Sequence, residues 1–199
     1  FFRQICTRSM KSKLVSVHST YINALRVLDD SEFVLTGGLD GLVKLTHTDG
    51  EVIAFPKEHS ALINSIDSID STAISGGNLD LVVLWDIITQ KKIKKYRTDP
   101  NSIQNNHILD VKMLGTLVVC CGTNCHINFL DTRLPNLKPI WRIKEATDTV
   151  TSVDYHHGKQ ALYSTSMDGS VCTFDLRNCK VMVDKVAGDN ILHEVNLFD

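Results

Sequence analysis

A step of about 41 residues constrains this chain more than any other feature. Four segments lie over one another: INALRVLDDSEFVLTGGLDGLVKLTH, INSIDSIDSTAISGGNLDLVVLWD, ILDVKMLGTLVVCCGTNCHINFLD and VTSVDYHHGKQALYSTSMDGSVCTFD. They begin at Ile22, Ile63, Ile108 and Val150, at intervals of 41, 45 and 42 residues, and ILHEV at Ile191 begins another 41 on. Each unit reads as β structure. A short alternating run (Ile22, Leu25, Val27) precedes a polar turn (Asp29, Asp30, Ser31), then a strand of small residues: VLTGG, AISGG, VVCCG or LYSTS. A tight turn follows, then a β-rich run (LVKLTH, LVVLWD, HINFLD, SVCTFD), and a last run such as KKIKKY or KVMVDKV closes the unit. No 3.6-residue apolar period persists over three turns, so helices are not expected. Four strands every ~41 residues describe one blade of a β-propeller.

At this point the chain resembles the WD-repeat β-propeller family. The resemblance rests on SGGNLDLVVLWD, with a literal Trp85-Asp86, on the matching STSMDGSVCTFD, and on His18 and His59, each four residues ahead of its strand's leading Ile. It implies a buried hydrogen-bond network in each blade, made by that His, a Ser or Thr of the second strand, an Asp of the next turn and the Trp. A loop and a turn packed inside a blade must satisfy their polar groups. Carried over by position, blade one has His18, Thr36 and Asp40, with Thr46 at the Trp position. Blade two has His59, Ser75 and Trp85, with Leu79 at the Asp position and Asp80 one residue late. Blade three has Asn124 and Leu130 in place of Asp and Trp, and Gln104 in place of His, with His107 as a substitute through a shifted loop. Blade four has Ser164 and Asp168, with Phe174 and Ala146 in place of Trp and His. No blade is complete, and these residues are expected to be structural rather than catalytic.

The expected fold is therefore all-β, with four-stranded antiparallel blades at about 18–57, 59–98, 104–144 and 146–187. Partial-blade strands are expected at 13–17 and 189–199. Seven blades, the commonest count in the family, need about 287 residues at this step, so the 199 residues read as part of a larger ring. The start on Phe rather than Met agrees with a piece of a longer chain.

VVCCGTNCHINFLD, residues 118–131, is the stretch most easily mistaken for a chemical site. Haem attachment needs Cys-x-x-Cys-His, and here one residue too many intervenes. Structural zinc wants four ligands in two spaced pairs, and no second pair occurs. By repeat position Cys120 and Cys121 fall in a second strand, Asn124 in the turn, and Cys125-His126 at the start of the third strand; cysteine packs well in such places. DYHHG, residues 154–158, aligns with the turn between first and second strands rather than with a metal pair. No P-loop, nucleophile elbow, His-Glu-x-x-His or EF-hand spacing appears. No catalytic residue, cofactor or metal is expected.

A composition of 43% hydrophobic and 22% charged residues is that of an ordinary globular domain. A net charge of −2 argues against bulk electrostatic binding of nucleic acid. The run KKIKK at 91–95 reads as an exposed strand with solvated lysines, and RNA contact through lysine-rich rims stays an alternative. No apolar run nears the ~18 residues that span a bilayer, and no continuous h-region marks a signal peptide. Six cysteines without framework spacing point to reduced thiols, in cytoplasm or nucleus. The resemblance implies a non-enzymatic scaffold binding other proteins in an intracellular assembly. Tyr21, Leu62 and Asn124 are the candidate contacts on the loop face. LYSTSMDGSVCTFDLR, ending in Arg177, also resembles the box by which some propellers dock on a cullin–RING ligase adaptor, and LDTR, ending in Arg133, is a weaker copy. A ligase substrate receptor and an RNA-processing or ribosome-assembly factor are the alternative functions.

Overall fold

The computed structural model describes residues 14–28, 32–99, 106–177 and 180–182. It contains four antiparallel sheets of four strands, each in chain order. Blade one is β1 (Ile22–Val27), β2 (Phe33–Gly38), β3 (Val43–His47) and β4 (Val52–Ala54). Blade two is β5 (Ile63–Ile69), β6 (Thr72–Gly77), β7 (Leu81–Asp86) and β8 (Lys91–Arg97). Blade three is β9 (Ile108–Leu114), β10 (Leu117–Gly122), β11 (Ile127–Asp131) and β12 (Trp141–Ile143). Blade four is β13 (Val150–His156), β14 (Ala161–Ser166), β15 (Val171–Asp175) and β16 (Lys180–Met182). The first strands β1, β5, β9 and β13 lie beside one another in that order, as the inner strands of successive propeller blades do.

The core lies between blades rather than within one sheet. Ala24, Leu35 and Leu45 of blade one meet Ile66, Ala73, Val83 and Trp85 of blade two. Ile74, Val82 and Leu84 on the other face of blade two meet Val111, Met113 and Val118 of blade three. Val119, Cys121 and Phe129 then meet Val153, Leu162 and Phe174 of blade four. Glycine sets the approach at the first two junctions. A Cβ on Gly37 would lie 2.6 Å from Ile63 Cγ2, and one on Gly76 would lie 2.6 Å from both Ile108 Cγ2 and Val111 Cγ1. Only a residue without a side chain lets the next inner strand come so close. Cys121 and Thr165 occupy the equivalent places in blades three and four.

Several local expectations change. Residues 14–17 are irregular rather than a strand, and 189–199 lie outside the described residues. Cys125 adopts a φ of 61°, a left-handed turn conformation, so β11 starts at Ile127 rather than at Cys125-His126. β13 continues through His156 because its partner strand pairs as far as His156–Ala161, and the turn is 157–160 rather than 154–158. The lysines of β8 are less solvated than expected. Lys92 (2.8 Å) and Lys95 both pair with Glu58, while the Lys94 ammonium donates to the carbonyls of Thr132 (2.6 Å) and Leu134 (2.9 Å).

Candidate functional site

The turn between second and third strands sits at the same end of every blade as the entry to the inner strand. One backbone bond fixes each turn to that entry. Leu39 N–H donates to Tyr21 O (3.0 Å), Asn78 to Leu62 O (3.0 Å), Thr123 to His107 O (3.1 Å) and Met167 to Thr149 O (2.9 Å). Tyr21, Leu62 and Asn124 thus share one face of the molecule. Arg177 lies at the opposite end of blade four, beyond the far end of β15. Its guanidinium forks onto Asp175 (Nε 3.0 Å, Nη2 2.9 Å), and Arg133 forks onto Asp131 in the same way (3.0 and 2.7 Å). The fork holds the Asp131 carboxyl down at about 2.

The blade networks give this face its rigidity. In blade one Asp40 can only accept, so His18 Nδ1–H donates to it (3.0 Å) and Nε2 accepts from the Thr36 hydroxyl (2.9 Å). Burial opposes ionisation of Asp40, but His18 and the Leu42 N–H outweigh it and keep the carboxyl low. In blade two Ser75 Oγ lies 2.7 Å from His59 Nε2 and accepts the Trp85 indole N–H at 2.8 Å. His59 is 2% exposed and its Nδ1 has no partner. Burial pulls its pKa down to about 4, so the ring is neutral at pH 7.

Blade two also shows what the position of Asp80 means. Leu79 and Asp80 both have positive φ (63° and 57°), unlike Asp40 in blade one. This turn directs Asp80 away from His59 and toward the connector leading to blade three. There its carboxylate accepts from the Thr98 hydroxyl, Asp99 N–H (2.7 Å) and Asn106 Nδ2 (2.6 Å).

In blade three the connecting residue is Asn106, which the repeat spacing does not single out. Its Oδ1 accepts from Thr123 Oγ (3.2 Å) and Asn124 N (3.1 Å), while its amide donates to Asp80. The expected substitute, His107, does not make these bonds, and its buried Nδ1 has no partner. Gln104 lies outside the described residues. The amide ties two blades together by donating to Asp80 and accepting from the blade-three turn, and the repeat step alone does not reveal it. In blade four, Thr147 replaces the missing histidine: its N–H (2.7 Å) and hydroxyl (3.0 Å) donate to Asp168. Burial again opposes ionisation, but the bonds from Ser170 and Thr147 hold Asp168 well below the usual carboxylate range. Ser164 is buried and lines one small pocket with Ala146 and Phe174, the residues at the His and Trp positions. Cys120 and Cys121 are buried free thiols, pushed far above their usual pKa by that burial. Among the described residues no three His, Cys, Asp or Glu side chains converge as metal ligands would.

The model of the WD domain, G-beta repeat, matches residues 9–46 and 137–175. This chain carries WD repeats at both stretches. The WD-repeat chain is 29% identical over 126 residues to the methylosome protein WDR77 of Xenopus laevis, covering 61% of this chain and 37% of that protein. It is 32% identical over 103 residues to the WD repeat-containing protein 55 homolog of Drosophila persimilis, covering 51% and 19%. It is 23% identical over 144 residues to the WD repeat domain-containing protein 83 homolog of Dictyostelium discoideum, covering 71% and 44%. The chain thus spans less than half the length of these relatives. WD-repeat proteins are generally protein-interaction scaffolds, and no helix among the described residues is long and apolar enough to cross a membrane.

Proposed function

We propose that this chain is the non-enzymatic, protein-binding part of an intracellular assembly, and that it binds through the turn face. The observation that carries the reading is the pinned array of four turns. Each turn is fixed to its inner strand by the same backbone bond, and the array exposes Tyr21 (79%), Leu39 (45%), Leu79 (48%) and Met167 (39%). Large apolar side chains repeated on one rigid face suit a protein partner. The polar residues of this face are spent on the blades: Asp40, Asp80 and Asp168 hold connectors, and the His18–Thr36 and His59–Ser75 contacts are buried inside the same networks. WDR77 bears the name of a methylosome protein, which fits a subunit role for a relative.

The two alternatives have weaker support. Arg177 and Arg133, which would dock a ligase adaptor, already fork onto their own blades. Three of the β8 lysines, which would contact RNA, are held: Lys92 and Lys95 by Glu58, and Lys94 by carbonyls of blade three. The test is affinity purification of full-length protein with and without Tyr21→Ala, Leu62→Ala and Asn124→Ala combined, before and after nuclease. Loss of co-purifying proteins from the triple variant, insensitive to nuclease, is expected. An unchanged set of partners rules out the turn face.

A further inference from the structure

All four inner strands carry an irregularity at the same place. The register shifts between Ile22 and Ala24 in β1, between Ile63 and Ser65 in β5, between Val150 and Ser152 in β13, and opposite Cys121–Gly122 in β9. A bulge sets two residues of one strand opposite one of its partner and re-aims the side chain. The four residues so placed are Asn23, Asn64, Leu109 and Thr151, and all four line one cavity of about 310 Å³ at the turn-face end of the inner strands.

Asp110 stands in the wall of this cavity. Its carboxylate accepts from Ser65 Oγ of blade two (2.8 Å), Ser152 Oγ of blade four (2.9 Å) and Val153 N–H (3.0 Å). At this position the other strands have Ala24, Ser65 and Ser152, so the acid is the exception. Around the cavity mouth the turns and strand entries (residues 19–22, 38–42, 60–63, 77–81, 106–108, 122–126, 147–150 and 166–170) contain Asp40, Asp80, Asp148 and Asp168 and no Lys or Arg. The far ends of the same inner strands are balanced instead, with Arg26 on Asp67 (3.2 Å) and Lys112 on Asp154 (3.3 Å).

We propose that this cavity receives a Lys or Arg side chain of a partner polypeptide, whose neighbouring apolar side chains rest on Tyr21, Leu39, Leu79 and Met167. The assignment rests on the turn face being the protein-binding face and specifies the chemistry of what binds there. A buried cation needs a fixed counter-charge, and Asp110 is already oriented by three donors from the blades on either side. Burial raises the Asp110 pKa, and a cation beside it acts in the opposite direction by favouring the ionised carboxylate. The acidic rim attracts a basic segment from a distance and repels an acidic one.

The test uses full-length protein and three fluorescent peptides, alternating Leu/Lys, Leu/Glu and Ser/Lys, followed by anisotropy. The Leu/Lys peptide should bind at least ~10-fold more tightly than either other peptide. Asn23→Lys puts a competing ammonium at an exposed cavity position and should weaken Leu/Lys binding by about tenfold or more with an unchanged melting temperature. Leu79→Ser, at the apolar rim, should weaken it by roughly threefold. No binding of Leu/Lys, equal binding of Leu/Glu, or indifference to Asn23→Lys overturns the proposal. Co-purification separates this from failure of the parent reading. Partners kept by both wild type and Asn23→Lys retain the scaffold and remove the cation cavity. A wild type that retains no partner removes the scaffold itself.

Discussion

Blades one and two hold their incoming connectors by different chemistry. In blade one the hold is polar: His18 bridges Asp40 and Thr36, and the Lys44 ammonium donates to the Val17 carbonyl at 2.6 Å. In blade two Val83 replaces Lys44 and Trp85 replaces Thr46. There Phe55 of the connector packs edge-on against Trp85 (5.5 Å between centroids, 80°), and the polar contact shrinks to His59, Ser75 and the indole N–H. Blade one leaves the Thr46 hydroxyl buried without a partner; blade two leaves His59 Nδ1 so. Each of these two blades keeps three of the four network residues and tolerates an orphaned polar atom at the site. The repeat therefore requires a held connector and not a fixed set of residues.

The comparison breaks most visibly at Trp85, which is 1% exposed and contacts both the connector and the network. Trp85→Ala should cost about 3–5 kcal/mol in urea unfolding, from lost apolar burial, the cavity left behind and the lost indole bond to Ser75. Thr46→Ala at the same position in blade one removes only an unsatisfied hydroxyl and should cost under ~1 kcal/mol. Equal losses from both would mean that the two blades are held alike.

Acid should also act on blade two through its histidine. The folded pKa of His59 lies at about 4, below its ordinary 6.5, so its contribution is fully present above pH 6.5, where both states are neutral. Between pH 6.5 and 4 only the unfolded chain takes up the proton, and stability falls, by at most about 3 kcal/mol once pH drops below the folded pKa. Urea midpoints at pH 7 and pH 5 should differ less in His59→Gln than in wild type. An identical pH dependence would show that the ring is not the source of the acid sensitivity.

The fold was legible because four-strand units recur at a nearly constant step, and the small-residue second strands and Asp/Asn turns fix the register of each. His18, Thr36 and Asp40 could be aligned for the same reason, since sequence spacing equals spatial spacing within a blade. Contacts between blades were not legible. Asn106 joins Asp80 to Asn124, and Asp110 joins Ser65 to Ser152, across 40 or more residues in the latter case and through a connector of irregular length in the former. The one available signal was the odd residue in a column: an acid at 110 among Ala24, Ser65 and Ser152, and a leucine at 79 among Asp40, Asn124 and Asp168.

That leucine allows the finest test of the comparison. Leu79 holds φ at 63°, a region that leucine enters at a cost and asparagine tolerates, and it is followed by Asp80, also left-handed. Two such residues in succession make the turn that Asn-Gly sequences favour between antiparallel strands. Its side chain is half exposed, so little packing is lost on replacement. Leu79→Asn should therefore stabilise the protein by roughly 0.5–1 kcal/mol. Leu39→Asn, one position earlier in the equivalent turn and without positive φ, should give no gain. A gain at both sites would point to a general benefit of a polar surface. A loss at Leu79 would mean that the leucine packs into the blade. A gain at Leu79 alone shows that the Asp80 contacts with Thr98, Asp99 and Asn106 hold this turn in a conformation its own leucine opposes.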